Sequence, residues 1–289
     1  MKAAAFDYVV ANTVSEVLTS LTTDGAKVLA GGQSLVPLMA FRLARPTFIV
    51  DLNRTAELET LHADDDGTLH IGAMTRQATI ARWPSLPQIQ PVVAEILPYV
   101  GHGAIRNRGT VGGSLAHADP ASEWPAVVVV LDAEMDIASA RGERRIAAAQ
   151  FFQGPFMTDL DEDELLTSVH LPPFPNAGWG AYEVARRSGD FALAGAVAVV
   201  AASEGVITHA RIALFGVETV TRRIAPLEEA LLGASPSDLA PLVDEHISKS
   251  VFAMDDIHAG RELRTQLAAT VTLRALEQAC ARSRSDATR

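Results

Sequence analysis

The sequence is poor in cysteine, poor in lysine and without a long apolar run, and each shortage closes a class of function. Cys280 is the sole cysteine among 289 residues. One thiol makes no internal disulfide, no multi-cysteine zinc site and no iron–sulfur cluster, because such a cluster needs several thiolates. Lys2, Lys27 and Lys249 are the only lysines, and the formal net charge is −11. A nucleic-acid binder would instead carry a basic face. No run reaches the roughly 18 apolar residues of a bilayer span; ALAGAVAVVAA at 192–202 comes nearest and is too short. The opening MKAAAFDYVV lacks the apolar core and cleavage-type tail of a signal peptide, so the expected location is cytoplasmic.

Catalytic signatures are missing as well. No G-x-x-x-x-G-K-[ST] phosphate loop occurs. GHGAIR at 101–106 starts like the Rossmann fingerprint and then puts Arg106 where the third glycine belongs. There is no G-x-S-x-G, no H-E-x-x-H and no cysteine–histidine pattern. The eight histidines, at 62, 70, 102, 117, 170, 209, 246 and 258, are scattered and share no ligand spacing. No catalytic side chain and no metal ligand is assigned.

What the chain has is a core. Hydrophobic residues make up 48% and charged residues 20%, enough for two or three subdomains, with disorder expected only in the tail SRSDATR. Thr13 and Glu16 form a capping box before an amphipathic helix carrying Val14, Val17, Leu18 and Leu21. AKVLAGG reads as a strand entering a glycine turn, and PTFIVDLN as a second strand, so the N-terminal third runs helix, strand, glycine loop, strand. ETLHADDDGTLHIGAM is a hairpin turning at 64–67. PQIQPVVAEILPYVG has helical spacing up to Gly101. EWPAVVVV is ambiguous, since four valines favour a strand while the preceding DPASE favours a helix start. A hairpin over EMDIASARGERRI and a strand in ELLTSVHLPPFPN follow. Beyond the prolines come three strands, turning at Glu204–Gly205 between the last two, and then helices.

Two loops of the type Gly–Gly–polar stand out: Gly31–Gly32–Gln33–Ser34 and Gly112–Gly113–Ser114. Small residues expose successive backbone N–H groups, which form an anion-binding nest. Two nests side by side would cradle a pyrophosphate without lysine or arginine. One such loop alone reads first as a tight turn; the pair leaves both readings open. Arg106 and Arg108 lie before the second loop and are well placed to meet phosphate or a partner. Arg186 and Arg187 read as a surface pair or as lining a cleft. His117 reads as a packing residue, Asp119 as the cap of a helix starting at Pro120, and residues 161–164 as a solvated acidic turn.

In this order, AGGQSLVPLMAFRLARP, VDLNRTAEL, IGAMTR, IRNRGTVGGSLAHADPASEWP, ELLTSVHLP and RRSGDFALAGAVAVV resemble the FAD-binding medium subunit of molybdenum hydroxylases. These are the flavin chains of carbon monoxide dehydrogenase-type and xanthine dehydrogenase-type enzymes. The resemblance covers essentially the whole chain. It implies an α+β, vanillyl-alcohol-oxidase-type (PCMH-like) FAD-binding fold. Two α+β subdomains, 1–55 and 56–176, would grip FAD, and a C-terminal domain, 177–289, of a three-stranded antiparallel sheet with helices would complete the site.

The resemblance places the FAD diphosphate on the amides of both loops. Its contacts would be Ala30, Gly31, Gly32, Gln33, Ser34 and Leu35 in the first, and Thr110, Val111, Gly112, Gly113 and Ser114 in the second. Ser114 stands where many relatives have asparagine, and a side chain on Gly113 would fill the diphosphate space. Asp119 and Glu123 match acidic positions after the second loop, Val100 and Leu166 match apolar positions on the cofactor, and Tyr182 falls near the flavin ring. The resemblance also turns EWPAVVVV into a helix.

The single cysteine then acquires a meaning. Molybdopterin and two 2Fe–2S clusters belong on separate large and small subunits, in a heterotrimer that pairs into a dimer of heterotrimers. This chain would hold FAD and pass electrons to an external acceptor. A free-standing FAD-dependent oxidase of the same fold, and a cofactor-free scaffold, are the alternatives. The substrate (carbon monoxide, purines, N-heterocycles or aldehydes) and the acceptor (NAD, quinone, cytochrome or oxygen) stay open.

Overall fold

The computed structural model of the chain describes residues 2–286. It is built from three sheets in chain order, with helices between and beside them. The first sheet is parallel, in the order β1-β3-β2, from β1 (Asp7–Val10), β2 (Ala26–Leu29) and β3 (Phe48–Asp51). β1 precedes the first expected element, so the chain opens on a strand. Helix α1 (Val14–Leu21) starts as its capping residues dictate: the Thr13 hydroxyl accepts from the Glu16 N–H at 3.2 Å. The Glu16 carboxylate reaches back one residue further than a capping box requires, to the Asn12 N–H at 2.7 Å. Between β2 and β3 the glycine loop runs into an unanticipated short helix, α2 (Leu35–Ala40).

The second sheet is antiparallel, ordered β4-β5-β10-β6-β7. β4 (Leu61–Ala63) and β5 (Leu69–Gly72) form the expected acidic-turn hairpin. Helices α3 (Gln77–Ala81), α4 (Leu86–Ile89), α5 (Pro91–Ile96), α6 (Gly103–Arg108), α7 (Val111–His117) and α8 (Glu123–Val130) then fill the long crossover. Pro91 lacks an N–H and divides the helical stretch 87–101 into α4 and α5. The sheet resumes with β6 (Glu134–Ser139) and β7 (Gly142–Ala147). After the short α9 (Ala148–Phe151) and the small ribbon β8 (Phe152–Gly154) and β9 (Met157–Thr158), it closes with β10 (Leu165–Leu171) at its centre.

EWPAVVVV is helical, and its position explains why propensity misleads. Every residue of α8 is buried, because the helix packs on the third sheet and against α5, α7 and α9. A helix buried on all sides shows no amphipathic stripe. Its cap differs from expectation: Ser122, not Asp119, is the N-cap residue, and α8 begins at Glu123. Ala118 ends α7 in the left-handed region at φ +49°, and Asp119 closes the turn that follows. Its carboxylate accepts from the Ala121 N–H and its carbonyl from the Ser122 N–H, both at 2.9 Å. The acidic turn at 161–164 is also only partly solvated. Glu164 is 9% exposed and pairs with Arg144 at 2.6 Å, while Asp161 and Asp163 hold Arg141.

The third sheet contains the three expected strands, β11 (Gly178–Ala185), β12 (Ala192–Ser203) and β13 (Val206–Phe215), and adds a two-residue fourth, β14 (Arg222–Arg223). Arg186 and Arg187 are exposed on the connection from β11 to β12. Glu204 and Gly205 both take positive φ, 52° and 84°, in the tight β12–β13 turn. The unbroken apolar run of β12 follows from burial on both faces. Val197 and Val199 face the core containing α8, whereas Ala194, Ala196, Ala198 and Val200 face the C-terminal helices. Those helices are α10 (Ala225–Leu231), α11 (Leu239–Ser250) and α12 (Arg261–Asp286). Helix α12 runs to Asp286, into the tail SRSDATR; 287–289 lie outside the described residues. Among the described residues no helix is long and apolar enough to cross a membrane.

α12 sits against β11 so closely that only glycine fits below it. A Cβ on Gly180 would fall on the Ala275 carbonyl, and one on Gly178 on the Ala279 carbonyl, one helical turn away. A Gly180→Val variant is therefore expected to lose about 3 kcal/mol of stability, since neither main chain can give way. Urea unfolding of the two proteins measures it.

Candidate functional site

The two glycine loops meet. Gly31 lies against the chain leading into the second loop so tightly that a Cβ there would strike the Arg108 carbonyl and come within 2.9 Å of Gly109 Cα. Gly32 holds φ +75°, a conformation glycine adopts without steric cost. Across the same seam, a Cβ on Gly113 would press on Thr110 Oγ1 at 2.8 Å and on Ala30 Cβ at 3.3 Å. Gly113 thus points between the loops. A side chain there would wedge the loops apart and does not simply project into the space they enclose.

The loops differ in what their amides do. The N–H groups of Gly31, Gly32, Gln33, Ser34 and Leu35 find no acceptor among the described residues. Five consecutive free donors on a partly exposed turn are what an anion nest requires. In the second loop every amide from 111 to 114 is already committed. Val111 donates to Thr75 O at 3.2 Å, Gly112 to Ala73 O at 2.9 Å, Gly113 to Thr110 Oγ1 at 3.1 Å and Ser114 to Thr110 O at 3.1 Å. Thr110 is the N-cap of α7, and the second loop is the wall against which the first is pressed. The residues present fit an anionic diphosphate, with the donors on one loop.

A polar strap that motif reading did not assign holds the loops together. Asn53 Nδ2 donates to Ala30 O at 3.1 Å, and Arg76 Nη2 donates to Asn53 Oδ1 at 2.5 Å. Arg76 Nη1 donates to the Arg108 carbonyl, so a single guanidinium spans both loops. Asp51 anchors Asn53 and accepts from the Tyr8 hydroxyl, which places β1 and β3 behind the strap. VDLN and MTR contain Asn53 and Arg76, but nothing in either stretch says that the two meet. Arg106 is likewise spent on the protein, donating to Val100 O at 2.9 Å and Gly101 O at 2.6 Å.

The remaining expected residues fall around this seam in several ways. Ser114 Oγ bonds Ser122 Oγ at 3.0 Å, tying α7 to the start of α8, where Glu123 is 5% exposed. Val100 and Leu166 are buried in the apolar core that α7 and α8 share. His117 packs on Phe156 at 5.1 Å, and burial lowers its pKa. Tyr182 is half-buried on β11, and its neighbour Glu183, which the sequence did not single out, carries the more informative group. Glu183 Oε2 is buried with no hydrogen-bond partner. Burial raises Glu183 to about 8, with the Glu123 charge adding to it, and burial raises Glu123 to about 7. A carboxyl from α8 and one from β11 thus converge, each favouring its neutral form.

A main-chain cradle for an anion, with no nucleophile–base pair beside it among the described residues, defines a protein that holds a charged cofactor by its backbone. Residues 4–174 match the model of the FAD binding domain in molybdopterin dehydrogenase, and residues 181–279 that of the CO dehydrogenase flavoprotein C-terminal domain. The chain is 39% identical to the nicotine 6-hydroxylase medium subunit of Paenarthrobacter nicotinovorans, over 98% of this chain and 100% of that one. It is 32% identical to the carbon monoxide dehydrogenase medium chain of Hydrogenophaga pseudoflava, over 96% and 98%. Among solved structures it superposes on a chain of quinoline 2-oxidoreductase from Pseudomonas putida 86 with TM-score 0.92 and 38% identity, covering 97% of this chain and 99% of that one. The chain belongs to the FAD-binding medium-subunit family of the molybdenum hydroxylases, which are oxidoreductases.

Two outcomes follow from this geometry. Gly31→Ala should separate the loops and weaken FAD retention at least about tenfold, with a loss of more than about 1.4 kcal/mol. Gly103→Ala, where a Cβ meets nothing within 4 Å, should retain FAD fully; flavin absorbance after dialysis reads both. Glu123 and Glu183 have folded pKa values of about 7 and about 8, raised from 4.5, so the native chain binds more protons than the unfolded one between these limits. Their stabilising contribution is complete below about pH 4.5 and is lost as pH rises through 7 and 8. The melting temperature of flavin-free Glu183→Gln should therefore exceed that of wild type by a margin that widens from pH 5.5 to pH 8.5.

Proposed function

We propose that this chain is the FAD-binding electron-transfer subunit of a heterotrimeric molybdenum hydroxylase. It would accept electrons from iron–sulfur clusters on a partner chain and pass them to an external acceptor. The observation that carries the reading is the first loop, with five unspent amides pressed against the second, in a chain with one cysteine. The amides of residues 31–35 would take the diphosphate, and the Asn53–Arg76 strap would keep that turn from relaxing when no ligand is bound. Val100, Leu166 and Tyr182 would pack against the cofactor, with Asp119, Glu123 and Glu183 along its edge. Bound FAD supplies reversible two-electron chemistry. The chain's own residues orient it and keep charge away from it.

The division of labour rests on the thiol count. Two 2Fe–2S clusters need about eight cysteines, so they and the molybdopterin would belong to separate small and large subunits. Several relatives carry the names medium subunit or medium chain, in keeping with such an assembly. We infer a dimer of heterotrimers in the cytoplasm, and within this chain a division at residues 1–55, 56–176 and 177–289.

The purified chain should be yellow and release FAD on denaturation. A colourless protein that cannot be reconstituted with FAD would remove the reading. Co-expressed with the genes beside its own, it should co-purify with a cysteine-rich small chain and a large chain. Substrate turnover by the isolated chain would instead identify a free-standing oxidase.

A further inference from the structure

Strand register assembles three histidines that sequence spacing kept apart. His62 on β4 lies opposite His70 on β5, and His70 lies opposite His170 on β10, so the three rings form a row across the exposed face of the second sheet. His62 and His70 stack with centroids 4.9 Å apart, and His170 meets His70 edge-on at 4.5 Å. Asp64, two residues beyond His62 and on the same face, points back at the row. Its carboxylate lies 2.7 Å from His70 Nε2 and 3.8 Å from His62 Nε2.

The wiring behind His70 fixes which nitrogen faces outward. His170 Nε2 meets Asp136 Oδ2 at 2.5 Å, and His170 Nδ1 meets His70 Nδ1 at 2.5 Å. Against the opposing effect of burial, hydrogen bonds from Arg145, His170 and Ser168 hold Asp136 as a carboxylate, with a pKa of about 2. The Asp136 carboxylate orients the His170 ring, and His170 in turn orients His70, whose Nε2 is turned toward Asp64.

We propose that His62, Asp64 and His70 form a binding site for a borderline divalent transition-metal ion, typified by Zn2+, with His170 and Asp136 as positioning residues behind it. One ligand atom from each of the three lies within 4.8 Å of the others. Metal–ligand bonds of about 2.0–2.1 Å in a tetrahedron put ligand atoms about 3.3 Å apart, so modest rotation of the exposed His62 completes the set. Two imidazoles and one carboxylate suit Zn2+ and its first-row neighbours and are poor ligands for Mg2+ or Ca2+. At least one coordination position is left for water. The His70–His170–Asp136 relay is the arrangement that orients a ligating imidazole and raises its basicity. Around the site, Asp65 and Asp66 on the turn and Glu134 on β6 add negative charge. Arg145 is paired with Asp136 and Glu134, at 2.6 and 3.4 Å, and its Nη2 lies 3.4 Å from His170 Nε2, behind the proposed ligands. The ion would clasp the β4–β5 hairpin on the sheet side, away from the glycine seam.

The test is isothermal titration of Zn2+ into the untagged, flavin-loaded full chain after chelator dialysis. Wild type should bind one equivalent, and the affinity should fall about tenfold or more from pH 7.5 to pH 5.5 as protons compete for the imidazoles. His62→Ala removes an exposed ligand without disturbing the core and should weaken binding at least tenfold. His170→Gln removes no ligand and should still weaken it about tenfold through His70. His258→Ala, on an exposed loop, should bind like wild type. Millimolar Mg2+ should not compete. Flavin absorbance should stay constant throughout, which separates this site from the flavin reading. If wild type binds Zn2+ no more tightly than the His62→Ala/His70→Gln double variant, the site does not exist.

Discussion

Gly31 lies flat against the Arg108 carbonyl and the Gly109 Cα, with no room for even a methyl group. This one backbone contact fixes the spacing of the first and second sheets. β2 and β3 deliver Ala30 and Asn53 to one side of it, and β5 delivers the Ala73–Arg76 segment to the other. The first loop is held open because its own strands and the second loop satisfy the groups around it and leave its amides unpaired. Buried donors without partners are costly, so such a turn persists only at a surface or beneath a ligand, and this one lies partly exposed at a seam.

Much of this was legible in the sequence, for local reasons. Capping residues marked α1, acidic and glycine turns marked the hairpins, and paired glycines marked the loops. What escaped depended on partners distant in the chain. β1 is four residues, two exposed and then two half-buried, without alternation, and it becomes a strand only by pairing with β3. EWPAVVVV was settled by resemblance and not by pattern, because total burial erases periodicity. The asymmetry of the loops was invisible, since both read Gly–Gly–polar. The Ala73–Thr75 segment, lying beside Val111 and Gly112, consumes two of the second set of amides, and Thr110 takes the other two. Asn53, Arg76 and Glu183 were unremarkable letters until folding set them against loops and helices tens of residues away.

The histidine row makes the same point about register. His62 and His70 are eight residues apart and His170 is a hundred further on, spacings that match no ligand motif. Antiparallel pairing around a central β10 aligns all three, because residues directly opposite in adjacent strands share a face. A one-residue slip in either pairing would scatter them to opposite faces.

Charge is distributed around the glycine seam in a consistent way. Two arginines near the loops are spent on the protein itself: Arg76 on Asn53 and the Arg108 carbonyl, Arg106 on the carbonyls of Val100 and Gly101; the Arg108 side chain stays exposed. Neutral amides are left to face a ligand. An anion held by amides keeps its net charge, so any ionised carboxylate nearby would repel it through a low-dielectric interior. Burial answers that difficulty by raising Glu123 and Glu183 to about 7 and about 8, so that both favour the protonated form at neutral pH or just below. A chain of net charge −11 with three lysines can therefore receive a diphosphate without a basic pocket. It does so by committing Arg76 and Arg106 to the scaffold and by burying Glu123 and Glu183.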